Sequence, residues 1–215
     1  KLYGEKFFNK ISNLNIFMVG SGAIGCELLK NFALMGVATS HDGSVTVTDP
    51  DTIEKSNLNR QFLFRPENVG QSKSIVAAEA VRNMRPKFNV TGCTHKVCPE
   101  NENIYNENFY SNHIDLVANA LDNMKARLYV DQQCVKWGLP LLESGTMGTK
   151  GNTQVVIPHM TQSYGSTTDA PESNDFPVCT LKNFPNRIEH TIHWAMDEFS
   201  GLFGMLPSDI NNYLE

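Results

Sequence analysis

The segment Asn15-Ile-Phe-Met-Val-Gly20-Ser-Gly22-Ala-Ile-Gly25 limits what this chain can fold into more than any other stretch of it. An apolar run of strand length ends in glycines at 20, 22 and 25, and a helical pattern follows over 24–37 with Leu28, Leu29, Phe32 and Met35 on one side. Glycines at such a junction allow a tight turn. They also let backbone N–H groups approach a phosphate at the helix N-terminus, where the dipole favours negative charge. Asp49 closes a second short strand containing Val45 and Val47, and a carboxylate there is placed to hydrogen-bond a ribose hydroxyl. The pattern predicts a nucleotide site, the alternative being glycines used only for close helix–strand packing. It does not choose between a dinucleotide and ATP, because Asp49 serves either.

Strand and helix patterns keep alternating down the chain. A helix is predicted over 72–84 with Ile75, Ala78, Val81 and Arg82 at helical spacing and Pro86 as its stop. Strands at 115–119 and 140–143 flank a helix over 124–137. A further strand at 153–158 follows the Gly145/Gly148/Gly151 turn and is expected to run antiparallel at one end of the sheet. This order predicts a doubly wound, Rossmann-like α/β fold with a mainly parallel sheet over residues 1–160.

The texture changes after Pro158. Residues 161–174 are dominated by Ser, Thr, Gly, Asp and Pro and read as a surface crossover with few means of burying itself. Asn186-Arg-Ile-Glu189 fits a capping box, and Ile188, Ile192, Ala195, Phe199 and Leu202 mark one face of an amphipathic helix. Residues 161–215 are thus expected to open a second, mostly helical domain whose sequence stops before it closes a core. The absence of an initial Met points the same way, to a fragment.

Composition excludes several classes of function. A net charge of −5 argues against a domain that grips nucleic acid. No run approaches the roughly 18 apolar residues of a membrane span, and residues 1–10 lack the apolar centre of a secretory signal. The five cysteines, Cys26, Cys93, Cys98, Cys134 and Cys179, contain no C-x-x-C pair, so free thiols in a reducing compartment are expected. Cys26 and Cys134 fall in helical patterns and read as small buried hydrophobes. Cys93 and Cys98 near His95 are a weak candidate for a metal.

A second constellation decides between the nucleotides. Pro50-Asp51-Thr-Ile-Glu54 leads into Ser56-Asn57-Leu-Asn-Arg60-Gln61-Phe-Leu-Phe64 and then Gly70-Gln-Ser-Lys73. Hydride transfer has no need of an Arg and a Lys after the ribose carboxylate, whereas a triphosphate does. Asp122 follows the 115–119 strand, where open α/β sheets place ligands. Together with Asp51 it can hold a Mg²⁺ that bridges phosphates. The alternative makes Arg60 and Lys73 solvated surface charges and Asp122 a helix cap.

At these residues the chain resembles a known family. The run Gly20 to Glu27, the 56–64 block, Ala120-Leu-Asp-Asn123 and the stretch 142–154 resemble the active adenylation half of ubiquitin-like-protein-activating enzymes. Prokaryotic relatives that adenylate sulfur-carrier proteins share the first three blocks. Val178-Cys179-Thr180-Leu-Lys-Asn-Phe-Pro-Asn186, with Ile188-Glu-His-Thr191 and Trp194, is similar to the catalytic-cysteine segment of the ubiquitin-specific members. Residues 165–176 depart from that family's usual Ser- and Pro-rich wording.

The resemblance implies ATP contacts at the Gly20, Gly22, Ala23 and Gly25 turn and at Asp49, Asn57, Arg60, Lys73, Asp122 and Asn123. It also implies Mg²⁺ facing Asp51 and Asp122, and a thioester-forming Cys179 with Thr180 beside it. Implied partners are ubiquitin, ubiquitin-conjugating enzymes and the remaining domains of the same polypeptide, in cytoplasm and nucleus. An activating enzyme for another ubiquitin-like modifier and an NAD-dependent oxidoreductase are the alternatives. The 215 residues alone are not expected to charge ubiquitin.

Overall fold

The computed structural model describes residues 3–147, 150–167 and 188–214. The chain forms two compact units, Lys1–Ala170 and Pro171–Glu215. In the first, a helix α1 (Gly4–Ser12) precedes β1 (Asn15–Val19), α2 (Ala23–Met35), β2 (Ser44–Thr48) and α3 (Lys73–Met84). There follow β3 (Val90–Cys93), α4 (Glu107–His113), β4 (Leu116–Asn119), α5 (Met124–Trp137), β5 (Leu141–Met147) and β6 (Lys150–Val156). The sheet has the order β3-β2-β1-β4-β5-β6. All neighbours are parallel except β5 and β6, which form an antiparallel hairpin. Strand order reverses between β1 and β4, so a crevice opens at the carboxyl ends of these two strands.

The reason for the double winding is visible in β1. Successive side chains of a strand point to opposite faces, and both faces of this one are buried. Ile16 and Met18 join Leu29, Phe32, Val76, Ala78 and Val81 beneath α2 and α3. Phe17 and Val19 join Tyr110, Val117, Val130, Cys134 and Leu141 on the other side. Phe17 anchors an aromatic cluster there, meeting Phe109 edge-on at 4.9 Å and Tyr105 at 5.2 Å between ring centroids.

Several details differ from the sequence reading. On α2 the buried face is Gly25, Cys26, Leu29, Phe32 and Ala33, whereas Met35 is exposed. On α3 Ile75 is exposed and Val76 and Ala77 are buried instead. Three helices and strands of the first unit were not predicted: α1, β3 and α4. β3 has four residues of which only Val90 is buried, too little for a period-two pattern. The seven residues of α4 are mostly polar; the signal for it was Asn106, whose side chain caps the helix by accepting from Phe109 N at 3.1 Å.

The start of the expected crossover differs as well. Tyr164 is buried and opens a 3-10 turn, Tyr164–Ser166. Tyr164 N and Gly165 N donate to the two oxygens of Asp131 on α5, at 2.9 and 3.0 Å. A local reading of a Ser/Thr/Gly-rich stretch does not register a carboxylate thirty-odd residues away in sequence.

The second unit contributes α6 (Ile188–Ser200), a π-helical stretch (Gly201–Met205) and α7 (Leu206–Leu214). The rings of Phe199 and Phe203, one turn apart, meet tilted at 34° with centroids 4.7 Å apart. Ile188, Ile192, Ala195, Phe199 and Leu202, the five residues expected on the apolar face, are all exposed. The predicted cap residues Asn186 and Arg187 lie outside the described residues.

Candidate functional site

The glycine turn separates into positions that the chain itself demands and one that it does not. Gly20 has φ +100°, and a Cβ there would stand 2.5 Å from Ala120 O. A Cβ at Gly25 would stand 2.5 Å from Gly20 O. These two glycines let β1, α2 and the end of β4 approach one another. Gly22, the N-cap of α2, has ordinary φ, and an added Cβ would meet nothing closer than Gln61 Nε2 at 3.8 Å. Packing therefore accounts for Gly20 and Gly25 but not for Gly22. No side chain caps α2, and no acidic residue occupies its first turn. The amides beginning at Ala23 have the orientation and dipole that suit an anion.

Asp49 is buried and stitches this turn to the loop that follows β2. Its Oδ2 accepts from Ser21 N at 2.7 Å and Ser21 Oγ at 3.1 Å, and Oδ1 accepts from Asp51 N at 2.9 Å. A carboxylate offers about four acceptor positions, so the expected ribose contact would take what these three bonds leave.

The loop after Asp49 is then folded back on the start of α3. Gly70, at φ +88°, turns the chain so that Ile53 N donates to Gln71 O and Gly70 N to Ile53 O, both at 2.8 Å. Lys73 N donates to Asp51 O at 3.0 Å, and Lys73 Nζ to Asp51 Oδ2 at 2.8 Å. Asp51, Thr52, Glu54, Asn57 and Lys73 line a polar cavity of about 310 Å³. Asn57 is held there by accepting Glu54 N on its Oδ1 at 2.9 Å. Lys73 is 8% exposed, so it is not the solvated surface charge of the alternative reading.

Asp122 is not the cap of α5 either. That role belongs to Asn123, whose Oδ1 accepts from Ala126 N at 2.8 Å, leaving Asp122 exposed at the carboxyl end of β4. Arg60 is placed differently from Lys73. It is exposed, its Nη1 donating to Ser56 O at 2.8 Å and Asn59 Oδ1 at 3.2 Å, and it is not among the residues lining the cavity.

Sequence reasoning passed over the groups that support these loops. Gln61 is buried beside Gly22, and its Oε1 has no hydrogen-bond partner among the described residues. Arg127 Nη2 and Nε donate to Leu121 O, at 2.8 and 3.2 Å, fixing the carbonyl just before Asp122. The same guanidinium lies 3.4 Å from buried Glu143, which accepts from Asn119 Nδ2 at 2.7 Å. A Cβ at Gly145 would collide with that guanidinium. The signal was present: a carboxylate within a strand otherwise read as core has to find a partner.

The four cysteines in the described residues are all shifted toward the neutral thiol. Burial pushes the Cys26 thiol up to about 12 and the Cys134 thiol higher still, and Cys93 is raised for the same reason. Cys98 is raised chiefly by hydrogen bonding to Glu100. All four are free. Among the described residues no group of three His, Cys, Asp or Glu is placed to hold a metal ion. Cys179 and Thr180 lie outside the described residues.

Comparison with known proteins shows the family. The chain is 60% identical over 212 residues to "Ubiquitin-like modifier-activating enzyme 1" of Dictyostelium discoideum, covering 99% of this chain and 21% of that protein. It is 58% identical over 215 residues to "Ubiquitin-activating enzyme E1 1" of Schizosaccharomyces pombe, again covering 99% and 21%. The Homo sapiens "Ubiquitin-like modifier-activating enzyme 1" is 56% identical over 213 residues, covering 99% and 20%. The chain thus spans about a fifth of the length of the curated relatives it matches. The profile of the ThiF family matches residues 1–208. With a doubly wound sheet, an uncapped glycine turn at its switch point and a match over nearly its whole length, the chain belongs to the ThiF family.

Proposed function

We propose that this chain is the ATP-binding adenylation segment of a ubiquitin-activating enzyme together with the start of its cysteine-bearing part, the division expected near residue 160 moving past the Tyr164–Ser166 turn that belongs with the first unit. The observation that carries the reading is the Lys73–Asp51 pair in its polar cavity, on the chain that leaves the glycine turn's own strand neighbour. A buried lysine and a run of free helix amides suit phosphate oxygens. The helix amides would serve a dinucleotide's pyrophosphate equally well, so the discriminating group is the lysine after the ribose carboxylate, which hydride transfer does not need. The names of the relatives supply the modifier.

In the first step a carboxylate oxygen of ubiquitin's C-terminus attacks the α-phosphorus of ATP and pyrophosphate leaves. Lys73 moves from Asp51 to the phosphate oxygens, Arg60 turns from Ser56 and Asn59 to join it, and the α2 amides hold the remaining charge. This work is positional and electrostatic. Leaving Lys73 frees the Asp51 carboxylate, which with Asp122 would hold Mg²⁺. A protein that supplies one or two carboxylates and leaves the rest to phosphates and water is the usual arrangement for this ion. Held there, Mg²⁺ would neutralise charge that develops on the leaving group. In the second step the Cys179 thiolate attacks the acyl carbon, AMP leaves and a thioester forms, ready for hand-over to a conjugating enzyme.

The test separates the steps in a full-length polypeptide carrying this segment. Asp122→Ala should abolish ATP–pyrophosphate exchange. Cys179→Ala should preserve exchange and remove only the thioester. Exchange lost in the cysteine variant, with the fold intact, would contradict the assignment. A panel of modifiers in the same thioester assay distinguishes ubiquitin from its relatives.

A further inference from the structure

We propose that Asp131 is a positioning residue for the second step: its carboxylate pins the segment leading to Cys179 onto α5, the helix whose N-terminus carries Asp122 and Asn123. The proposal rests on the reading of Cys179 as the acceptor thiol.

Asp131 is 3% exposed, and its two oxygens accept from consecutive main-chain amides, Tyr164 N at 2.9 Å and Gly165 N at 3.0 Å. The turn it holds is shaped to the helix. Tyr164 is buried, and a Cβ at Gly165 would stand 3.3 Å from both Asp131 Oδ2 and Leu128 Cδ2. Within the turn Ser166 N donates to Ser163 O at 3.2 Å and Thr167 N to Tyr164 O at 3.1 Å. An apolar residue at 131 would pack against a buried tyrosine equally well. A carboxylate is costly at this depth unless it is hydrogen-bonded, and what it adds is a fixed place for two particular peptide groups.

That place matters because of what lies at either end. Asp131 is eight residues from Asn123 on one helix, about 12 Å along its axis. The nucleotide loop and the clamp are therefore carried by one rigid element. From Gly165 the chain runs fourteen residues to Cys179, a reach of at most about 50 Å. With the clamp released, the burial of Tyr164 still holds the segment, but two peptide groups lose their fixed place and with it the direction in which the chain leaves α5. Thiolate attack depends on orientation as well as reach.

The test again uses the full-length polypeptide and reads the two steps separately. Asp131→Ala should lower single-turnover thioester formation about threefold to tenfold while pyrophosphate exchange stays within roughly 1.5-fold. Asp131→Asn, which keeps one acceptor, should fall between. Gly165→Pro removes one donor without changing the sequence of α5, although its ring presses on Leu128 and Asp131, and it should lower the thioester step in the same direction. Exchange and thioester falling by the same factor would mean a general loss of fold and overturn the proposal, as would an unchanged thioester rate in both Asp131→Ala and Gly165→Pro. Cys179→Ala run alongside keeps the two readings apart: a thioester that persists without this cysteine overturns the assignment of the thiol, and the clamp's role with it.

Discussion

The two units of this chain handle their apolar residues in opposite ways. In Lys1–Ala170 every second residue of β1 meets a helix on one face and an aromatic cluster on the other, and side chains such as Leu29, Met18 and Phe17 are wholly buried. In the described part of Pro171–Glu215, Ile188, Ile192, Met196, Phe199, Leu202 and Phe203 are exposed along α6 and the π-helical stretch. Both regions follow helical patterning. The difference is that a helix stripe is stabilised by the surface it covers, and only the first unit supplies that surface within the described residues.

The contrast can be broken most easily with one substitution made twice. Gly20→Ala forces a Cβ to within 2.5 Å of Ala120 O at a φ of +100°. Strain and overpacking together should cost about 3–5 kcal/mol. Leu29→Ala should follow at about 2–5 kcal/mol, as expected for a fully buried leucine. In the second unit the same glycine change should reverse sign. Gly204 has nothing within 4 Å of an added Cβ, so Gly204→Ala should stabilise its helix by about 0.5–1 kcal/mol. Phe199→Ala should be smallest, within about 0.5 kcal/mol in this chain, because the ring is exposed.

Each unit carries its own reporter for these measurements. Trp137 lies on α5 and Trp194 on α6. Denaturant titrations in Trp194→Phe and Trp137→Phe backgrounds therefore follow the units separately. A Gly20→Ala loss seen equally by Trp194 would show that the units unfold together, and the contrast would fail. A Phe199→Ala cost that rises to about 3 kcal/mol in the full-length polypeptide would sharpen it, by showing that the apolar face is covered there.

The glycines make a finer comparison inside the first unit. Gly22→Ala has room, so it should leave stability within about 0.5 kcal/mol. It should nonetheless lower pyrophosphate exchange about tenfold, since the methyl group stands where a phosphate would approach the α2 amides. An unchanged exchange rate would return Gly22 to the packing explanation that accounts for Gly20 and Gly25.

Much of this was legible without coordinates because it is encoded locally. The strand–glycine–helix junction, the alternation of elements and the antiparallel final strand all depend on patterns within a few residues, and such patterns fix local structure wherever the chain goes. The placement of the candidate residues was also legible: Asp49, Asp51, Lys73 and Asp122 stand just after strands or at a helix start. What tertiary structure decided was partnership. It paired Lys73 with Asp51, gave the cap of α5 to Asn123 rather than Asp122, and left Arg60 at the surface. It brought Gln61 beside Gly22, set Arg127 on Gly145 and tied Gly165 to Asp131. These contacts join residues far apart in sequence, and which of them meet depends on strand order and on the path of each crossover, a property of the whole sheet that no local pattern carries.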